Sequence, residues 1–246
     1  MNILRSIIVF LWLVATLIPL GLGLVICSYF VSDMRLWWWF VVPWLRGVVE
    51  AARIVGGVEY RLHGEENFPA ADDMSRVILC PKHQSAWETF YFPSMSSHPL
   101  AYVFKKELLR IPVFGWAIGR TKMIHIDRKQ RSEAWNKVAA EGKILMDRGK
   151  WIIMFPEGTR TERGSQGTYK SGAARLAVAT GAQVIPIAVT SARCWPRRSF
   201  WLRPGTIDVS VGKPITAQGR QPDELMREVE QWIEAEMRRL DPEAYA

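Results

Sequence analysis

Arg76-Val77-Ile78-Leu79-Cys80-Pro81-Lys82-His83-Gln84-Ser85-Ala86-Trp87-Glu88 is the stretch on which the reading of this chain turns. Its first five residues form a short apolar run that reads as a buried strand. Pro81 has no N–H to donate and ends the ladder. His83 then falls where a strand leaves a sheet and a helix begins, the usual mouth of a site in open α/β sheets. Glu88 follows five residues later, about 140° from a shared face on a continuous helix. The two side chains meet only if His83 occupies the turn before the helix. Such a pair has a chemical use. A neutral imidazole takes a proton from an alcohol, while a carboxylate on its other nitrogen fixes the tautomer and steadies the imidazolium. The competing reading is an ordinary surface-turn histidine.

Working outward, short strand-like runs alternate with helical stretches from Val58 onward. Strands are expected at residues 58–63, 76–80, 100–104, 123–126, 151–155, 183–189 and 206–211. Helices are expected at 85–95, 132–148, 171–180 and 222–240. The last opens with Pro222 and an acidic first turn, Asp223-Glu224, as helix starts prefer. The fold class is therefore α/β: a largely parallel sheet of about seven strands, covered by helices. Gly56-Gly57 makes the boundary, giving an anchoring unit over residues 1–56 and the α/β domain over 57–246.

The front of the chain differs in kind. Residues 7–31 are uncharged and strongly apolar, long enough to cross a bilayer core of about 30 Å. Pro19, Gly21 and Gly23 interrupt the run, so a kinked, re-entrant helix competes with a straight span, and a signal peptide is disfavoured by length. Trp37, Trp38, Trp39 and Trp44 follow, residues that favour the headgroup level. Arg46, Glu50 and Arg53 share one helical face opposite Leu45, Val48 and Val49. This reads as an interfacial helix on the membrane, with a core helix of the α/β domain as the alternative. Arg35, Arg46 and Arg53 outweigh Arg5, which sets the domain on the cytoplasmic side of the cell (inner) membrane.

Three further turns carry chemistry. Phe155-Pro156-Glu157-Gly158-Thr159-Arg160 leaves an apolar strand through a proline, as His83 does. Gly158 lets backbone approach a ligand, and Arg160 can grip a phosphate bidentately; a Glu157–Arg160 salt bridge is the structural alternative. Arg128, after Ile124-His125-Ile126-Asp127, is a second anion clamp. Lys105 and Lys106 add charge at the same sheet edge. Gly164-Ser165-Gln166-Gly167 is a glycine-bearing loop that could contact phosphate. No His or Cys pair has metal-ligand spacing. The net charge of +8 points to an anionic partner, yet no recognition pattern for nucleic acid accompanies it. Cys27, Cys80 and Cys194, odd in number and each beside apolar residues, argue for reduced thiols.

In this order, His83-x-x-x-x-Glu88, the block from Gly119 through Ile126-Asp127-Arg128, Phe155-Pro156-Glu157-Gly158-Thr159-Arg160 and Val184-Ile185-Pro186-Ile187-Ala188-Val189 resemble the 1-acyl-sn-glycerol-3-phosphate (lysophosphatidate) acyltransferase family. The family usually has Asp where this chain has Glu88, and often Asn where it has Lys82. The resemblance implies a membrane enzyme of phospholipid synthesis in which His83, oriented by Glu88, deprotonates the free hydroxyl of lysophosphatidate. The alkoxide would attack an acyl-CoA or acyl-carrier-protein thioester without an acyl-enzyme and without a cofactor. Arg128, Glu157, Gly158, Thr159 and Arg160 would hold the glycerol phosphate, with Lys105 or Lys106 assisting. The family pattern puts residues 184–189 near the acyl channel, whereas their own composition reads as a buried strand. Related families acylate a lipid A precursor, glycerol 3-phosphate or an ornithine lipid, and a non-catalytic lipid binder is the alternative from another class.

Overall fold

The computed structural model describes residues 2–127 and 131–245. Helix α1 (Asn2–Cys27) leads through a turn into α2 (Asp33–Leu36), which continues through a π-helical turn (Trp37–Val41) into α3 (Val42–Ile54). Seven strands follow: β1 (Val58–His63), β2 (Val77–Pro81), β3 (Leu100–Lys105), β4 (Ile124–Ile126), β5 (Trp151–Ile153), β6 (Gln183–Val189) and β7 (Gly205–Val211). Between them lie α4 (Trp87–Met95), α5 (Phe114–Arg120), α6 (Arg131–Asp147) and α7 (Gly172–Thr180), and α8 (Pro222–Leu240) closes the chain.

All seven strands form one sheet in the order β1-β7-β6-β2-β5-β3-β4. Every neighbouring pair is parallel except β6–β7. Strands β6, β2, β5, β3 and β4 thus present their C-terminal ends on one rim, where open α/β sheets place ligand sites. Pro81 is the last residue of β2, paired with Ile187, and the ladder closes with the Lys82 N–H on the Ile187 carbonyl at 2.8 Å. Pro186 is tolerated inside a central strand because its ladder to β7 starts only at Ile187, so the missing N–H breaks no pair.

Strand residues alternate between two apolar layers. Val77, Leu79, Ile153, Ile185 and Ile187 pack with α3 and α4. Ile78, Cys80, Ile152, Val184 and Ala188 pack with α6, α7 and α8. The first layer takes in part of the stretch before Gly56: Val42, Val49 and Ala52 of α3 and the indole of Trp37 are all buried in it. Trp37 was expected at headgroup level with its neighbours, but it is 1% exposed and belongs to the core; Trp38 and Trp39 are exposed.

The apolar front is helical from Asn2 and ends at Cys27, so the expected segment shifts toward the N-terminus. Among the described residues, α1 is the one helix long and apolar enough to cross a membrane. It does not stand free. Leu202 N–H donates to Ser6 Oγ (2.8 Å), Trp44 Nε1 donates to Thr16 Oγ1 (3.1 Å), and Leu24 packs with Leu36 and Ala117.

Candidate active site

His83 lies in the turn between β2 and α4, with Glu88 in the first turn of α4. That placement brings them together, with His83 Nδ1 2.5 Å from Glu88 Oε2. The carboxylate is buried and held from several sides. Its Oε1 accepts the N–H groups of Gln84 (2.9 Å) and Ser85 (2.8 Å), and the Ser191 hydroxyl donates to the same oxygen. Backbone donors at the helix start and the hydroxyl thus fix the acid, and the acid fixes the ring. The imidazole also stacks on Phe155, with ring centroids 3.7 Å apart. With Nδ1 committed to Glu88, Nε2 is the nitrogen left to receive a proton.

The turn after β5 is tied to the turn after β2. Thr161 N–H (2.8 Å) and Thr161 Oγ1 (3.1 Å) both donate to the His83 carbonyl, and the His83 N–H donates to Glu157 Oε1 (3.3 Å). Arg160, one residue before Thr161, therefore borders the histidine turn. Its Nε is shielded from solvent and has no hydrogen-bond partner among the described residues. Glu157 bonds toward His83 and Lys82, so no Glu157–Arg160 salt bridge forms. Gly158 has φ +66°, a left-handed conformation that strains any other residue, and a Cβ there would lie 2.9 Å from Lys170 Nζ, so the lysine would have to move. Thr159 is exposed. Lys105 is exposed at the C-terminal end of β3, on the same rim. Lys106 Nζ is paired with Asp127 Oδ2 at 2.5 Å. Arg128 lies outside the described residues.

Lys82 has a role that sequence reading did not supply. Its ammonium is fully buried, 2.6 Å from Glu234 of α8, 3.4 Å from Glu157, and bonded to the carbonyls of Ser165 (3.0 Å) and Gln166 (2.8 Å). In the Gly164–Gly167 loop, expected as a possible phosphate contact, the Ser165 and Gln166 carbonyl oxygens thus turn inward onto a cation. Burial pushes the Glu157 carboxyl up to about 7, with Lys82 and the backbone donors opposing the shift only in part. Ser191, Phe155 and Thr161 also belong to the site and were not singled out from sequence. Phe155 and Ser191 each sit two residues past the C-terminal end of a strand, β5 and β6, which is the signal that could have found them, whereas Thr161 lies further along the turn after β5.

From Phe155 and Gly158 an open groove of about 670 Å³ runs between the sheet and α6, walled by Val103, Ile126, Trp135 and Met154 with Lys170 at its edge. Residues 184–189 are the buried strand β6.

A largely parallel α/β sheet that brings to one rim an acid-oriented imidazole and a guanidinium whose Nε has no partner among the described residues suits chemistry on a hydroxyl beside an anion. Residues 59–190 match the family model described as Acyltransferase. The chain is 36% identical, over 87% of its own length and 84% of the relative's, to a 1-acyl-sn-glycerol-3-phosphate acyltransferase of Pseudomonas aeruginosa. It is 27% identical to the alpha 1-acyl-sn-glycerol-3-phosphate acyltransferase of Mus musculus, over 74% of this chain and 63% of that one. Its fold is similar to the crystal structure of the 1-acyl-sn-glycerophosphate acyltransferase of Thermotoga maritima, with a TM-score of 0.80, 21% identity, and 98% and 96% of the two chains covered. The chain belongs to the 1-acyl-sn-glycerol-3-phosphate acyltransferase family.

Proposed function

We propose that this protein transfers a fatty acyl group from an acyl-CoA or acyl-carrier-protein thioester to the free hydroxyl of 1-acyl-sn-glycerol 3-phosphate, giving phosphatidate at a membrane surface. The observation that carries the reading is the His83–Glu88 pair with Nε2 uncommitted, stitched through Thr161 to the turn that bears Arg160. His83 Nε2 takes the hydroxyl proton as the oxygen attacks the thioester carbonyl. The carbon–sulfur bond then breaks, and the departing thiolate receives that proton from the imidazolium. Glu88 keeps the ring oriented and stabilises its charged form. Arg160 holds the acceptor phosphate and Lys105 assists from β3, with Arg128 and Lys106 as further candidates for the same role. Glu157 and Gly158 shape the turn, and Thr159 lies exposed within it. The groove beside Phe155 is apolar enough for an acyl chain.

The test is the purified full chain given lysophosphatidate with each thioester type, followed by identification of the lipid product. An acceptor panel adding glycerol 3-phosphate, a lipid A precursor and an ornithine lipid precursor separates the related reactions. His83→Ala is expected to lower turnover by about 10²–10⁴ while the protein still sediments with membranes. Near-normal turnover in that variant removes the mechanism. Binding of lysophosphatidate without turnover by the unaltered protein would make it a lipid binder.

A further inference from the structure

Past Ser191, the segment between β6 and β7 has no part in the reaction just described. Residues 191–207 contain Arg193, Arg197, Arg198 and Arg203 and no carboxylate, with Trp195, Phe200 and Trp201 among them. The base of the loop is fixed. Arg203 N–H donates to the Cys194 carbonyl at 2.8 Å, Trp195 Nε1 donates to the Ser199 carbonyl at 2.9 Å, and Leu202 is buried. At the tip, Arg198 adopts φ +57°, a left-handed conformation that an arginine rarely takes. This frame holds two large apolar side chains in solvent: Phe200 is 69% and Trp201 48% exposed. Arg198 and Arg203 are exposed and have no acidic partner among the described residues.

The exposed aromatics continue an apolar surface. The Phe200 ring meets Phe10 of α1 edge-on at 5.7 Å, and Ile3, Leu4, Ile7, Phe10 and Leu11 are exposed beside it. Aromatic residues flanked by unpaired arginines suit the boundary between acyl chains and anionic headgroups. We propose that the loop of residues 195–203 is a second membrane-docking element whose partner is an anionic phospholipid bilayer. Phe200 and Trp201 enter the acyl-chain boundary, and Arg198 and Arg203 meet lipid phosphates. An acidic protein surface would satisfy the arginines, but it would leave the aromatic side chains and their continuity with α1 unused. The loop also reaches the site, because Arg197 Nη1 donates to the Arg160 carbonyl at 3.0 Å. Docking therefore bears on the turn assigned above to the acceptor phosphate.

The test uses the full chain in a Cys27→Ser background, carrying one fluorescent label at Phe200→Cys, Phe10→Cys or Ile144→Cys, in vesicles whose lipids bear nitroxides on the acyl chains. Ile144 is exposed on α6, across the sheet from the loop. The label at 200 is expected to be quenched nearly as strongly as that at 10 and far more than that at 144. Replacing phosphatidylglycerol by phosphatidylcholine, or making Arg198→Ala with Arg203→Ala, should weaken the quenching at 200 about tenfold in the loop's docking equilibrium. A label at 200 quenched no more than at 144 overturns the proposal. So does a label at 200 that lipid nitroxides leave untouched but an acidic acyl-carrier protein shields. A kinetic arm rests on the acyltransferase reading: Phe200→Ala with Trp201→Ala should lower kcat/KM about tenfold for vesicle-borne lysophosphatidate and leave a short-chain, water-soluble acceptor unaffected. Equal losses with both acceptors would refute docking. The depth measurement needs no turnover, so failure of the proposed activity and failure of docking give different results.

Discussion

Glu88 is anchored by residues from two distant parts of the chain, and the general-base role proposed for His83 rests on that anchoring. The Ser191 hydroxyl reaches it from the end of β6, while the Gln84 and Ser85 N–H groups reach it from the turn itself. Ser191→Ala leaves the backbone donors in place but removes the hydroxyl from a buried carboxylate. It should cost about 1–3 kcal/mol of stability and lower kcat with little change in KM for the acceptor, measured by denaturant unfolding and steady-state kinetics. A rise in acceptor KM at constant kcat would instead make Ser191 part of acceptor binding. Glu157 supplies a pH dependence. Its carboxyl titrates at about 7 in the folded protein, against an ordinary value of 4.5. Between these values the folded chain holds a proton that the unfolded chain has released. The resulting contribution is complete below about pH 4.5 and is lost as pH rises through 7. Denaturation midpoints from pH 5 to 8 should therefore fall with rising pH, and Glu157→Gln should flatten that slope. An equal slope in both proteins would place the titration elsewhere.

At the scale of elements, the strands were readable because buried runs and strict alternation leave little choice of partner layer. Residues 58–63 and 183–189 coincide with β1 and β6, and 222–240 with α8. Helix α5 was not readable. Phe114-Gly115-Trp116-Ala117-Ile118-Gly119-Arg120 has two glycines, almost no polar face and a proline two residues before it, all of which argue against a helix. Tertiary packing overrides those preferences: Ala117 meets Leu24 and Leu36, and Gly115 lies against the backbone of Leu108 and Leu109. The His83–Glu88 pair was legible because five residues and one turn define it. Ser191 is 103 positions from Glu88, and the cage around Lys82 draws on three separate segments, so no local pattern announces either. Gly115→Ala tests how far packing governs α5. Propensity alone favours alanine by about 1 kcal/mol, but its Cβ would lie 2.5 Å from the Leu108 and Leu109 backbone. The expected result is a net loss of about 1–3 kcal/mol in chemical unfolding. A gain in stability would show that α5 is held by its ends and not by this contact.

For the whole molecule, the question is how an apolar helix of 26 residues relates to the bilayer. Its length, about 39 Å at 1.5 Å per residue, is enough to span, but its contacts point to a different arrangement. Ser6 bonds to Leu202, Phe10 meets Phe200, Thr16 accepts from Trp44, and a Cβ on Gly21 would strike the Val113 side chain at 2.7 Å. The helix is thus held along its side by the 195–203 loop, α3 and α5. A perpendicular span would carry these flanks into the hydrocarbon. Arg46, Glu50 and Arg53 of α3 would go with them, as would the arginines beside Phe200, and charges at that depth are costly. Lying along the surface, α1 can sink its exposed outer face into one leaflet while the rim with His83 stays where lysophosphatidate and acyl chains gather. The expectation is that both ends of α1 face the same side. Cysteines placed singly as Asn2→Cys and Tyr29→Cys, in the Cys27→Ser background, should react with a membrane-impermeant maleimide from the same face of oriented membrane vesicles. Labelling of the two positions from opposite faces would establish a span and require α1 to detach from the domain along most of its length.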